Sequence, residues 1–168
     1  MKEYTHIVHP FGPLYDADAT ILILGSLPSV KSREQQFFYG HPQNRFWPML
    51  AALFGEAAPR SVEEKRALAL RHHVALWDTI YSCDIVGSSD SSIRNVVPTD
   101  LRPILSGSQV RRIFCNGRTS GLYFQKYQTK TLGREALVLP STSPANAAWT
   151  MERLAEAWRV ILGEEGTR

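Results

Sequence analysis

An α/β domain built on a largely parallel sheet is the fold this sequence predicts. Two observations carry the prediction. Short apolar runs alternate with stretches of helical periodicity along the chain. Four of those runs read as strands, and each ends in small or polar residues. The chain has 168 residues, 43% of them apolar, and no internal repeat or low-complexity linker. That suits one domain over residues 1–168, with a core that needs no disulfide or metal support.

The elements follow in order. Residues 20–25 (TILILG) read as a buried first strand ending in glycine. Residues 26–44 read as loop, although FFY stands at 37–39. A helix is predicted from about Arg45, because Phe46, Met49, Leu50 and Leu53 recur at three and four on one face. Residues 61–73 form a second helix, and Ser61 and Glu64 have capping-box spacing. Residues 74–81 (VALWDTIY) read as a second strand that turns polar at Asp78. The serine-rich stretch 82–98 reads as loop, and Thr99 as the cap of a short helix through Leu105. Residues 110–117 (VRRIFCNG) give a third strand, and 118–127 a helix that Gly121 weakens. Residues 135–144 (EALVLPSTSP) hold a fourth strand stopped by Pro140. The last helix starts near Trp149, with Met151, Leu154, Trp158 and Ile161 on its inner face.

Composition excludes several classes. The aliphatic stretch at 21–24 is too short to span a bilayer, so a soluble, intracellular (cytoplasmic) protein is expected, without membrane partners. The only cysteines, Cys83 and Cys115, form no CxxC pair, which excludes zinc ribbons and four-cysteine iron–sulfur clusters. Cys115, in an apolar run, reads as a small core residue. GxxxxGK[ST], GxGxxG and GxSxG are all missing, so neither a nucleotide cofactor nor the usual hydrolase nucleophile turn has a motif behind it. The net charge is +3, with fourteen arginines to five lysines among 19 basic residues. Arginine makes forked contacts to phosphate, which fits a polyanionic partner. Ligands of parallel sheets sit beyond the carboxyl ends of the strands. The four exits, at 25–29, 78–79, 116–117 and 141–144, should therefore face one crevice.

GSLPS at 25–29, followed by FFYGHPQNRFW at 37–47, resembles the first motif of the uracil-DNA glycosylase superfamily. The nearest branches are the mismatch-specific uracil glycosylases and, more closely, the hypoxanthine-DNA (deoxyinosine) glycosylases. LPSTSPAN at 139–146 resembles the second motif, and residues 76–93 are similar to the hypoxanthine branch. The resemblance covers about residues 20 to 160. It implies a three-layer α/β/α sandwich with a four-stranded, mainly parallel central sheet. It also implies hydrolysis of the N-glycosidic bond of a deaminated base in DNA. A monomeric, monofunctional enzyme that uses water is expected, with no cofactor, metal or iron–sulfur cluster.

Such chemistry needs the base flipped out of the duplex. It also needs a placed water, and donors aimed at the charge that develops on the leaving base. By resemblance Asn44 places the water; by propensity it caps the helix at Arg45, and both can hold. Relatives carry Asp or Asn where Leu27 stands, so the polar group that handles water there is replaced by one that cannot. Backbone N–H groups at Ser26 and Leu27 are expected to bind a base carbonyl. Tyr39, backed by Phe38, is the expected stacking platform, whereas Phe37 reads as core. Asp78 is expected to read the base by accepting the ring N–H of hypoxanthine; a helix-cap or turn aspartate is the competing reading. Ser141, Thr142, Ser143 and Pro144 resemble the phosphate-gripping and wedge loop, with serine at 141 where relatives often have histidine. Ala145 stands near a bulky wedge position, which Asn146 or Trp149 could supply instead. Asn116, Gly117 and Arg118 are candidate phosphate contacts, Arg118 equally a solvated helix start. Lys31 as a Schiff-base nucleophile and Ser26 activated by His41 are minor alternatives. At the level of the whole chain, a non-catalytic DNA-lesion-binding protein and a free-nucleoside hydrolase stay open beside the glycosylase that the joined motifs favour.

Overall fold

The computed structural model describes residues 3–163. The strands are β1 (Thr5–Val8), β2 (Ile21–Gly25), β3 (Val74–Asp78), β4 (Ile80–Ile85), β5 (Arg94–Pro98), β6 (Arg112–Asn116) and β7 (Leu137–Leu139). The helices are α1 (Val30–Gln35), α2 (Phe46–Leu53), α3 (Val62–Arg71), α4 (Arg102–Ser106), α5 (Arg118–Tyr127), α6 (Thr129–Leu132) and α7 (Met151–Trp158). Four strands form a wholly parallel sheet in the order β3-β2-β6-β7. β2 lies inside this sheet, and all five of its residues are buried, which explains its unbroken apolar run. The chain steps one way from β2 to β3 and the other way from β6 to β7. Right-handed crossovers then put α2 and α3 on one face and α5 on the other. α7 packs on α2, which completes the three-layer α/β/α sandwich expected.

The core holds Phe46, Trp47, Met49 and Leu50 of α2 and Leu154, Trp158 and Ile161 at the C-terminal end, all at or below 3% exposure. Burying a side chain of this kind stabilises the fold by about 1.5–3 kcal/mol. Cys115 is buried among them, and burial pushes its thiol up to about 11, as suits an inert core residue.

Several expectations need correction. Residues 82–98 are not a loop: β4 and β5 pair with β1 in a second, antiparallel sheet of order β1-β4-β5. Register shifts between Ile80 and Ser82 and between Ser82 and Asp84 break the period-two pattern by which a strand is recognised. The chain crosses from one sheet to the other at Thr79, so the predicted second strand is two strands. Thr99 does not cap α4, whose N-cap is Leu101; its hydroxyl donates to the Asp78 carbonyl at 2.7 Å. Met151 is 37% exposed, because it opens α7 directly after the Thr150 cap. The predicted loop 26–44 also holds α1, capped by Ser29, whose hydroxyl accepts from the Ser32 N–H. The capping box of α3 forms in altered shape. Ser61 accepts from the Glu64 N–H at 3.1 Å, but Glu64 reaches back to the N–H of Arg60.

Candidate active site

All four parallel strands end on one pocket of about 400 Å³, within the usual size of small-molecule sites, about 300–1,000 Å³. β2 delivers Gly25, Ser26 and Leu27, and β3 delivers Asp78. β6 delivers Asn116, Gly117 and Arg118, and the segment after β7 delivers Ser141, Thr142, Ser143 and Ala145. Phe38, Tyr39 and Asn44 come in from the stretch before α2, while Ser88, Ser89 and Asp90 come from the β4–β5 connection.

The NRFW stretch explains how the pocket is held, because its first two residues fasten the 142–149 loop and its last two fasten the Phe38–Tyr39 stretch. Asn44 Oδ1 accepts from the Phe46 N–H at 2.9 Å and from the Thr142 hydroxyl at 2.8 Å. Both partners are donors, so this atom is the amide oxygen. The amide nitrogen has no protein partner among the described residues, and Asn44 lines the pocket. Asn44 is not the N-cap of α2, which is Arg45; from one residue before it, Asn44 accepts from the first helical N–H and leaves its own N–H groups to the pocket. Arg45 forks onto carbonyls of the loop after β7: Ser143 at 3.0 Å, Asn146 at 3.1 Å, and Trp149. Its own N–H donates to the Thr142 carbonyl. Phe46 stacks on Tyr39 with ring centroids 4.1 Å apart. The Trp47 indole N–H donates to the Phe38 carbonyl at 2.9 Å.

Tyr39 sits at φ 53°, in the left-handed region that costs a non-glycine residue free energy. Its hydroxyl is buried beside the Asn116 side chain, without a hydrogen bond of good geometry. Burial, then the nearby Asp78 charge, push its ionisation well above the ordinary tyrosine value. Gly25 makes room for this corner: a Cβ there would lie 2.5 Å from Asp78 Oδ1 and 3.3 Å from the Tyr39 hydroxyl. Leu27 lines the pocket and packs with the apolar cluster of Ile80, Cys83 and Ile85.

Asp78 is neither a cap nor a turn residue. It is buried, and its Oδ2 lies 2.6 Å from His9 Nε2. His9 was not singled out from the sequence: it lies 69 positions before Asp78, and no spacing rule links them. Thr142 also departs from expectation. It reads from sequence as part of the phosphate grip, yet it is fully buried. It accepts from Asn116 Nδ2 at 3.0 Å and donates to Asn44, so it joins three walls and cannot reach a phosphate. Ser141 and Ser143 hydroxyls accept from the N–H groups of Ser143 and Ala145, which shapes the loop. Asn146 donates to the Ser141 carbonyl; it and Pro144 stand outside the pocket lining. Gly117, at φ 97°, starts α5 close against Ser141, and Arg118 is exposed at the pocket mouth. His41 and Lys31 are not among the lining residues. His41 Nδ1 accepts from the Gln43 N–H, and the exposed Lys31 lies 3.5 Å from Glu34, so neither minor nucleophile is assembled.

Chain and fold together match a known family. Residues 13–162 match the family model of the uracil DNA glycosylase superfamily. The chain therefore belongs to that superfamily and is a DNA glycosylase, a hydrolase of N-glycosidic bonds. More particularly, it is similar to the hypoxanthine DNA glycosylase of Methanosarcina acetivorans, 35% identical over 153 residues that cover 90% of this chain and 95% of that one. The hypoxanthine DNA glycosylase of Methanosarcina barkeri is 33% identical over 143 residues, 81% of this chain and 86% of its own. A solution NMR structure of a candidate uracil DNA glycosylase from M. acetivorans superposes with a TM-score of 0.75 at 31% identity, covering 91% of this chain and 97% of that one.

Proposed function

We propose that this enzyme excises hypoxanthine from DNA, with uracil and xanthine as lesser substrates, using water as the nucleophile. The observation that carries the reading is the meeting of Asn44 and Asp78 on one pocket at the strand ends, in a chain similar to two hypoxanthine DNA glycosylases. A deaminated base leaves a mispair, so flipping it costs less than flipping a normal base. Once flipped, it stacks on Tyr39, which Phe46 backs. Asp78 Oδ1 accepts the ring N–H of hypoxanthine. Adenine has no hydrogen on that ring nitrogen and is refused. The glycosidic bond breaks with its electron pair moving to the base, leaving positive charge on the sugar. Water then adds to the sugar carbon, and the proton it loses passes through solvent to the departed base anion, so that the products are the sugar hydroxyl and the neutral base.

Asn44 holds that water through its N–H groups. It cannot take the proton, because it is an amide whose oxygen is already engaged. With Leu27 in place of a carboxylate, turnover depends on positioning more than on base catalysis. Arg118, Asn116, Gly117 and the loop at Ser141, Ser143, Pro144, Ala145 and Asn146 form the side that meets the phosphate backbone. The enzyme proposed here is a monomer that acts on cellular DNA. Duplexes carrying a single deoxyinosine, deoxyuridine or deoxyxanthosine, followed by alkali, test the reading. Strand scission strongest at deoxyinosine is expected. No alkali-labile site with any of the three at stoichiometric enzyme would sink it, and tight lesion binding without scission would favour a binding protein instead.

A further inference from the structure

Among the described residues, three buried side-chain polar atoms make no hydrogen bond of good geometry: His9 Nδ1, the Tyr39 hydroxyl and Thr79 Oγ1. Unpaired buried groups are disfavoured, and in native structures each one calls for a reason. Two of the three lie beside one carboxylate, and the third belongs to the next residue. His9 bonds Asp78, Thr79 follows it in the chain, and the Tyr39 hydroxyl shares with it the space over Gly25.

Of the three, only His9 touches Asp78 through a hydrogen bond, and its ring is immobilised. It leans on the Trp77 ring at 4.2 Å and meets Phe11 edge-on at 4.7 Å. Its backbone N–H donates to the Tyr81 carbonyl at 2.7 Å, which ties it to the second sheet. An aspartate alone rotates readily about its last bond and presents either oxygen. With Oδ2 held by His9, the carboxylate plane is set and Oδ1 is the oxygen over Gly25, a residue that lines the pocket.

We propose that His9 is the positioning residue for base reading: it orients Asp78 so that Oδ1 meets the ring N–H of the flipped base. The proposal rests on the reading of Asp78 given above. A histidine that merely filled core space would make the identity of its Nε2 irrelevant.

The test compares single-turnover excision of hypoxanthine and of unsubstituted purine (deoxynebularine), which lacks the ring N–H, in otherwise identical duplexes. Intrinsic differences in bond lability cancel when the preference ratio is compared between variants. His9→Phe keeps the ring volume without the donor, and His9→Gln restores a donor near the Nε2 position. His9→Phe is expected to lose at least about tenfold of the preference for hypoxanthine, with unchanged affinity for undamaged duplex; His9→Gln is expected to keep most of it. If His9→Phe does not fold, His9→Asn, whose amide is too short to reach Oδ2, takes its place with the same expectation. An intact preference in the donor-less variant, or His9→Gln no better than His9→Phe, would overturn the role of His9. Asp78→Asn separates the two levels. If it too leaves the preference intact, the reading of Asp78 fails. If it abolishes the preference while His9→Phe does not, only the His9 proposal fails.

Discussion

At Asn44 one amide both ends a loop and faces the pocket, so its replacement has two separable effects. Asn44→Ala removes the acceptor of both the Phe46 N–H and the Thr142 hydroxyl, which should cost about 1–3 kcal/mol because buried donors lose their partner. It also removes the donor proposed to hold the water, which should slow single-turnover excision by about 10²–10³-fold. A thermal melt and a single-turnover rate check the two effects independently. Gly25→Ala should act differently. Its Cβ would stand 2.5 Å from Asp78 Oδ1, so excision should fall sharply while affinity for undamaged duplex, measured by titration, stays near that of the parent. At this scale much of the pocket was legible before the fold was known: Ser26, Leu27, Tyr39, Asn44 and Asp78 all line it. Motif spacing and the strand-end rule brought them together. His9 and the inward turn of Thr142 were not legible, because both depend on partners 69 and 98 positions away.

Among the elements, the start of α2 is the clip that fixes the 141–149 loop. Lysine cannot fork as arginine does, so Arg45→Lys should free the carbonyls of Ser143, Asn146 and Trp149. Amide hydrogen exchange should quicken at 145–149, with α2 itself still protected. α3 ends in a second clip, where Arg71 and His72 both bind Glu56. Hydrogen bonds from Arg71 first, then His72, hold the Glu56 carboxyl down at about 2, from an ordinary 4.5. A carboxyl depressed in the folded state contributes stability above its unfolded value and loses it as pH falls through its folded value. The stability gap between the parent and Glu56→Gln should therefore be full near neutrality and close between pH 4.5 and about 2, as denaturant melts across that range would show. The parallel strands were legible because each is a short apolar run. β4 and β5 were not, since bulged pairing and serines on the partly exposed sheet hide the alternation.

For the whole molecule, binding to DNA should weaken steeply with salt, as for any protein that displaces counterions from phosphates. Arg118→Ala, at the pocket mouth, should weaken damaged and undamaged duplexes alike and lower the slope of log K against log salt by about 1. A slope unchanged in titrations from low to moderate salt would remove Arg118 from the backbone contacts. The bond between Asn44 and Thr142 spans 98 positions, and it has a consequence for biosynthesis. On the ribosome, the segment bearing Asn44 emerges long before the one bearing Thr142, so a half-made chain carries the amide proposed to hold the water without its Thr142 partner. Competence against the genome arrives only when the finished polypeptide closes on itself, and nascent fragments should be inert toward DNA.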